Sequence, residues 1–255
     1  MKFFQNVCLI FIYIFITGCN TDRSDLPSLQ NFNYLPTSTT GQIVSHNFFT
    51  LSYSEKHEQA EWVAYHLKKN NLKIIVPRLN NFKIDKLITT GSSKLSDYKK
   101  SGYDRGHLAP SRDMSFSRIA SNESFYLSNI SPQDKSFNRG IWKKLESLVR
   151  DWAIEYGDIF VVTGGVLNSS NITIGKEEVS VPMFFYKIIL VYDGLDTKTI
   201  AFVMPNEKST EKLSNYVYSV DYLEDLTGID FFPELPDNIE EDIEKKSILN
   251  QWSWD

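Results

Sequence analysis

A succession of polar residues between Tyr103 and Arg150 constrains this chain more than any other feature. It begins with Asp104-Arg105-Gly106-His107 and passes through Asn129-Ile130-Ser131-Pro132-Gln133. It closes on Phe137-Asn138-Arg139-Gly140-Ile141-Trp142-Lys143-Lys144-Leu145-Glu146. Ile141, Trp142, Leu145, Leu148, Val149 and Trp152 recur at the helical period and Gly157 follows, so Asn138 to Tyr156 is expected to form an amphipathic helix. An apolar stripe of that kind must be buried against another element. The chain supplies candidates in Ile159 to Gly164, Pro182 to Tyr192 and Ile200 to Met204, which are rich in β-branched and aromatic residues and read as strands. The expected fold is a single α+β domain around a mainly antiparallel central sheet.

The remaining segments are read by the same rules. His46 to Ser54 alternates as a strand does. Glu55 to Leu67 carries Ala60, Val63, Ala64 and Leu67 at helical spacing, so it is expected to be a helix, stopped by Asn70-Asn71. Leu72 to Val76 reads as a short strand ending at Pro77, and Arg78 to Asp97 as an extended loop. Tyr103 to Ala109 and Ser124 to Ile130 are expected as strands. Val217 to Leu226 reads as a helix stopped by Gly228, Phe231 to Pro236 as an apolar turn capping the core, and the tail from Asp237 as a short helix.

The first residues are of another kind. Lys2 precedes an apolar run from Val7 to Ile16, shorter than the roughly 20 residues a spanning helix needs. Ile16-Thr17-Gly18-Cys19 resembles the lipobox of bacterial lipoproteins, so residues 1–18 are expected to be a signal peptide and Cys19 the lipidated mature terminus. Residues 19–41, polar and holding Pro27 and Pro36, read as a linker, leaving 42–255 as the domain. The expected location is the cell envelope, tethered by lipid, with Asn20 favouring the outer membrane. Cys8 lies in the leader and Cys19 carries lipid, so the domain has neither a disulfide nor a cysteine-ligated zinc.

Charge narrows the function classes. A formal net charge of −5 argues against a general nucleic-acid binder, which usually shows a basic footprint. The sign is not uniform, however. Asp221 to Glu244 holds ten acidic residues and no basic one, read as a solvated face, while Lys135 to Arg150 holds five basic residues. A local basic strip on an acidic protein is compatible with phosphate binding.

His107 has neighbours that suit chemistry. Histidine titrates near neutral pH and can take a proton from water. Gly106 lets the backbone bend, Arg105 offers a permanent cation to a phosphate oxygen, and Asp104 either orients the imidazole or pairs with an arginine. His46, His57 and His66 lack such company and are read as structural. Asn138 suits a helix N-cap, and its amide oxygen also suits Mg²⁺, a hard ion that takes few protein oxygens. On one ideal helix Glu146 falls about 80° round and about 12 Å along from Asn138, within reach of a shared ion only through water. Asn129 and Gln133 flank Pro132, where turn roles compete with functional ones. Taken together, the set points to metal-assisted phosphodiester cleavage.

The ordered set resembles the DNA/RNA non-specific endonuclease family, the endonuclease G-like ββα-metal nucleases. The resemblance rests on the Asp-Arg-Gly-His box, the Asn-Ile-x-Pro-Gln segment and the Asn-x-x-x-Trp-x-x-x-Glu run. Glu58 to Tyr65 and Thr227 to Pro233 resemble the family's flanks, so the likeness covers roughly His46 to Pro236. It implies a ββα-metal motif and sugar-non-specific cleavage of DNA and RNA, with His107 as general base. It implies Asn138 as the one direct ligand of Mg²⁺ (or Mn²⁺ or another divalent cation) and Glu146 as a ligand through water. Arg105 and Asn129 would support the site, Arg78 would stabilise the charged phosphorane, and a homodimer is compatible with it. The alternative from another class is a lipid-tethered nucleic-acid-binding or envelope interaction protein on the same fold without turnover. A serine hydrolase is set aside, since no Gly-x-Ser-x-Gly elbow is present.

Overall fold

The computed structural model describes residues 32–37, 40–169 and 171–254. The expected signal peptide, Cys19 and most of the expected linker lie outside the described residues. In chain order the elements are β1 (Gln42–Ser45), β2 (Thr50–Ser54), β3 (Gln59–Leu67), α1 (Leu95–Tyr98), β4 (Asp104–His107), α2 (Arg118–Ser124), β5 (Ile130–Gln133), α3 (Lys135–Arg139) and α4 (Ile141–Tyr156). There follow β6 (Ile159–Gly165), β7 (Thr173–Ile174), β8 (Val179–Ser180), β9 (Phe184–Val191), β10 (Lys198–Pro205), β11 (Val217–Tyr218), α5 (Val220–Thr227) and α6 (Asp237–Glu244). Seven strands form one sheet in the order β1-β2-β3-β6-β9-β10-β11, every pair antiparallel. β4 and β5 pair separately, also antiparallel.

Both faces of the large sheet are covered, and strand alternation sorts its side chains between two cores. Val63, Val161, Phe185, Ile189 and Phe202 face the core that α4 completes with Trp142, Leu145 and Trp152. Trp62, Phe160, Val162, Ile188 and Leu190 face the other, closed by Val220 and Leu223 of α5 with Phe231, Phe232 and Leu235. The Phe231–Pro236 turn therefore caps a core as expected. A strand buried on both faces has no polar side to show. This explains the main correction: residues Gln59–Leu67 form β3, not a helix. The spacing of Ala60, Val63, Ala64 and Leu67 is accidental, because Trp62, Val63, Ala64 and Tyr65 are all buried on alternating sides. Glu58, with φ of 51°, turns the chain from β2 into β3.

Other expectations shift as well. Leu72 to Val76 is not a strand: Ile74 and Ile75 are exposed, and Ile75 N and Val76 N both donate to Ser115 O rather than to a neighbouring strand. Ser124 closes α2, and the strand expected over Ser124 to Ile130 runs instead over Ile130–Gln133. The linker expected up to Gly41 docks earlier. Phe32 is buried, stacks on Tyr192 at 4.3 Å between ring centroids, and Thr37 N donates to Asp230 O. At the other end Trp252 and Trp254 pack on Trp152, whose Nε1 donates to Ser253 O at 2.7 Å, so the C-terminal residues clamp α4. Among the described residues no helix is long and apolar enough to cross a membrane.

Candidate active site

β4, β5, α3 and α4 place the polar stretch around one cleft of about 1080 Å³. Arg78, Arg105, His107, Asn138 and Glu146 all line it, from four separate parts of the chain. Seven basic residues line the cleft (Arg78, Lys99, Arg105, Arg112, Arg139, Lys143, Arg150) against two acidic ones, Asp104 and Glu146. The cleft therefore carries the opposite sign from the chain, whose net charge is −5.

The local fold explains how each side chain is set. The β4–β5 pairing puts His107 opposite Ile130 and Gly106 opposite Ser131. A Cβ on Gly106 would meet Gln133 Oε1 at 2.1 Å, so glycine is needed there for close approach of a neighbouring side chain rather than for a bend. His107 is 7 % exposed and sits edge-on to Phe125 with centroids 4.9 Å apart. Its Nε2 is buried without a hydrogen-bond partner among the described residues. Burial, then the charges of Arg78 and Arg105, push its pKa down to about 3, so the ring is neutral at pH 7 and a weaker base than a free imidazole.

Asn138 does not cap α4. Asp134 caps α3 by accepting from Ser136 N and Phe137 N, and Asn138 lies inside that short helix. α3 and α4 meet at Gly140, whose φ of −106° and ψ of −110° break the run that the sequence predicts as one helix. A Cβ there would lie 2.3 Å from Ser136 O. The geometry of one straight helix therefore does not apply to Asn138 and Glu146.

Asp104 fixes the Asn138 amide. It accepts from Asn138 Nδ2 at 3.0 Å and from Arg139 Nε and Nη2 at 2.7 Å each. Of the two uses the sequence allowed Asp104, the arginine pairing is the one found. An amide beside a carboxylate must present its nitrogen, so the oxygen of Asn138 is left as a donor atom with no hydrogen bond among the described residues. A single oriented amide oxygen beside a carboxylate suits a hard divalent cation, so the residues fit one.

Glu146, on α4, is pushed up to about 7 by burial, against which Lys187 is the largest opposing charge. Asp113 raises it further, while Arg150 and Arg78 lower it. Behind it, Arg150 Nη1 donates to Asp113 Oδ1 at 2.9 Å and Tyr65 Oη to Asp113 Oδ2 at 3.1 Å. Lys187 is fully buried in β9 with Nζ 4.9 Å above the Trp142 ring and no hydrogen bond among the described residues. Burial pulls its pKa down. Sequence reading missed Lys187, Arg150 and Asp113. The one signal was a lysine inside the apolar run Phe184–Val191, where only a buried counter-charge gives it a reason to sit.

Arg78 donates through Nη1 to Ser111 Oγ at 2.7 Å and through Nε to Asn80 Oδ1 at 2.9 Å, leaving its guanidinium at the cleft wall. Arg105 lies over Phe82, 4.3 Å from the ring centroid. Asn129 departs from its expected place: it is fully buried and does not line the cleft. Its amide accepts from Ala109 N at 2.8 Å and donates to Ala109 O and Ser124 O, so its hydrogen bonds pin the backbone two residues past His107. His46, His57 and His66 have structural partners in Asp85, Ser180 and Asp158.

Comparison with known proteins identifies the family. The family model described as DNA/RNA non-specific endonuclease matches residues 30–238. The chain is 34% identical over 239 residues to the human mitochondrial nuclease EXOG, covering 86% of this chain and 64% of that protein. It is 32% identical to a nuclease of Nostoc sp., covering 91% of this chain and 93% of the relative. It is 33% identical to nuclease C1 of Cunninghamella echinulata var. echinulata, covering 77% and 85%. Among solved structures, a chain of the EndoG/EndoGI complex superposes with a TM-score of 0.71 at 30% identity, covering 78% of this chain and 88% of that one.

Proposed function

This chain belongs to the DNA/RNA non-specific endonuclease family, and on that premise we propose that it hydrolyses phosphodiester bonds in both DNA and RNA with the aid of one divalent cation. The observation that carries the reading is a neutral, buried histidine facing the same basic cleft as an oriented, unencumbered amide oxygen. Asn138 would hold the cation directly, and Glu146 would hold it through water. When bound, the cation supplies neutralisation of phosphate charge and stabilisation of the leaving oxygen.

The chain's own residues do the rest. Arg78 and Arg105 draw in the scissile phosphate. Their positive field depresses the His107 pKa, so a bound phosphate anion offsets it and makes the imidazole more basic once substrate is seated. His107 then takes the proton of the attacking water, and Arg78 balances the charge that builds on the phosphorus oxygens. Asp104 holds Asn138 in orientation, and Asn129 pins the chain that carries His107. Contacts to phosphate and sugar carry no base information, which accounts for cleavage without sequence preference. Cys19 is proposed as a lipid anchor to the cell envelope, and its variant Cys19→Ala is expected to release the protein into the soluble fraction.

The test uses plasmid DNA and total RNA with Mg²⁺, with EDTA, and with His107→Ala plus Mg²⁺. Cleavage of both substrates only by the intact protein with metal is expected, with His107→Ala down roughly 10²–10⁴-fold. Equal cleavage by His107→Ala would refute the base assignment. A folded protein that binds DNA yet cuts nothing across several divalent ions would turn the reading to a binding module.

A further inference from the structure

On the far side of the sheet from α4, the acidic segment that the sequence presents as a solvated face folds back on itself. α5 carries Asp221 and Glu224 one turn apart, and Glu244 ends α6. One carboxylate oxygen from each lies within 4.8 Å of the other two. Glu224 is held in place by accepting from Phe231 N at 2.8 Å. Three carboxylates gathered this closely repel one another, and among the described residues no salt bridge reaches any of them. The nearby Lys245 pairs instead with Glu241 at 3.1 Å.

Glu244 is the independent observation that points to a ligand. It is 5 % exposed, and its Oε1 is buried with no hydrogen-bond partner among the described residues. A carboxyl taken out of water needs a counter-charge or a proton, and nothing basic occurs anywhere from Asp221 to Glu244. We propose that Asp221, Glu224 and Glu244 form a second cation site, for calcium, that ties α6 to α5 and is separate from the nuclease cleft. Calcium accepts six to eight oxygens at about 2.3–2.6 Å in flexible geometry, so three oxygens gathered this closely can share its shell with small side-chain adjustments. Magnesium demands a near-ideal octahedron and gives up its waters reluctantly, so a cluster of protein carboxylates suits calcium better. Exposed Asp221 leaves the outer side open to waters that complete the shell. The ion would fasten the C-terminal part of the chain, because α6 also bonds the sheet edge through Thr199 Oγ1 to Ile243 O.

The test is a calcium titration, by calorimetry and by thermal unfolding, on metal-stripped protein and on Asn138→Ala, Glu244→Gln and Asp221→Asn. Asn138→Ala removes the proposed cleft ligand, while Asp221→Asn changes only an exposed side chain and keeps the test open if Glu244→Gln fails to fold. One saturable site is expected in the intact protein and in Asn138→Ala, with Tm rising by several degrees. Affinity should fall at least about tenfold in Glu244→Gln and Asp221→Asn, since ligand charge count sets calcium affinity. Magnesium-dependent cleavage by Glu244→Gln should match that of the intact protein. Binding that is lost in Asn138→Ala but kept in Glu244→Gln would place calcium in the cleft and overturn the proposal. So would no binding up to about 10 mM, beyond the range of weak extracellular calcium modules. A Glu244→Gln protein that reaches the calcium-loaded Tm without calcium would mean that a proton holds the cluster instead.

Discussion

At the scale of single residues, function and protonation are set by what surrounds each group. Glu146 is pushed up to about 7 by burial, so below that pH it holds a proton that a cation must displace. The charges facing it come from several elements: Lys187 on β9, Arg150 on α4, and Asp113 and Arg78 from loops. The sign follows directly. Mg²⁺ affinity should be about tenfold weaker at pH 6 than at pH 8 and level off above neutrality, since one unit below the pKa only about a tenth of the carboxyl is ionised. Calorimetry at the two pH values checks this, and Glu146→Gln should bind weakly with no pH dependence. A wild-type affinity that is flat with pH would show that Glu146 takes no part in holding the ion. Asp104→Ala makes a second prediction. Without the carboxylate, Asn138 is free to turn its nitrogen toward the cleft, and metal affinity should drop about 10–100-fold while Tm moves little. His107 stays active in Asp104→Ala only as far as metal can be restored by concentration, so excess Mg²⁺ should recover much of the rate.

At the scale of elements, the break at Gly140 is what brings Asn138 and Glu146 to one cleft. A side chain there meets the Ser136 carbonyl, a backbone atom that cannot move aside. Gly140→Ala should therefore cost about 1–3 kcal/mol of stability and reduce metal affinity together, measured by denaturant unfolding and calorimetry. Stability lost with metal binding intact would mean the kink serves packing alone. The same elements show what the sequence made legible. The long helix was readable because Trp142, Leu145 and Trp152 face one core while Lys143, Lys144 and Ser147 face water. β9 and β10 were readable because both are rich in β-branched and aromatic residues. β3 was not, because both its faces are buried and Ala60, Val63 and Ala64 fell at helical spacing. The kink escaped notice since glycine at position 140 is tolerable in a helix by propensity, and only the Ser136 contact makes it obligatory. In the site, His107, Asn138 and Glu146 were singled out from the ordered motif, and the fold brings all three to one cleft. Lys187 was not, since it reaches Glu146 only through the sheet pairing that folds β9 beneath α4, and Asp113 was not, since it comes from the loop between β4 and α2. Asn129 was legible as part of the site but not in its role, which depends on the backbone of Ala109 passing beside it.

At the scale of the whole molecule, charge is divided between faces. The chain is acidic overall, yet seven basic residues against two acidic ones line the cleft, and the acidic α5–α6 segment packs beyond the opposite core. A nucleic-acid backbone approaching this protein meets an acidic chain that carries a basic cleft, so the field favours capture there. Because attraction is to phosphate, each lysine or arginine engaged releases counterions, and log(kcat/KM) should fall linearly with log[salt]. Lys99 and Lys143 line the cleft away from His107's immediate partners and suit the test. Lys99→Ala and Lys143→Ala should each lower kcat/KM and reduce the salt slope by about 0.9 for duplex DNA and about 0.7 for single strands. The loss should be alike for different sequences, since phosphate contacts carry no base information. Substituting a lysine outside the cleft, such as Lys245, should leave the slope unchanged although the net charge changes equally. If Lys245→Ala flattened the slope as much as Lys143→Ala, net charge rather than the cleft would govern capture, and the division between faces would have no role in it.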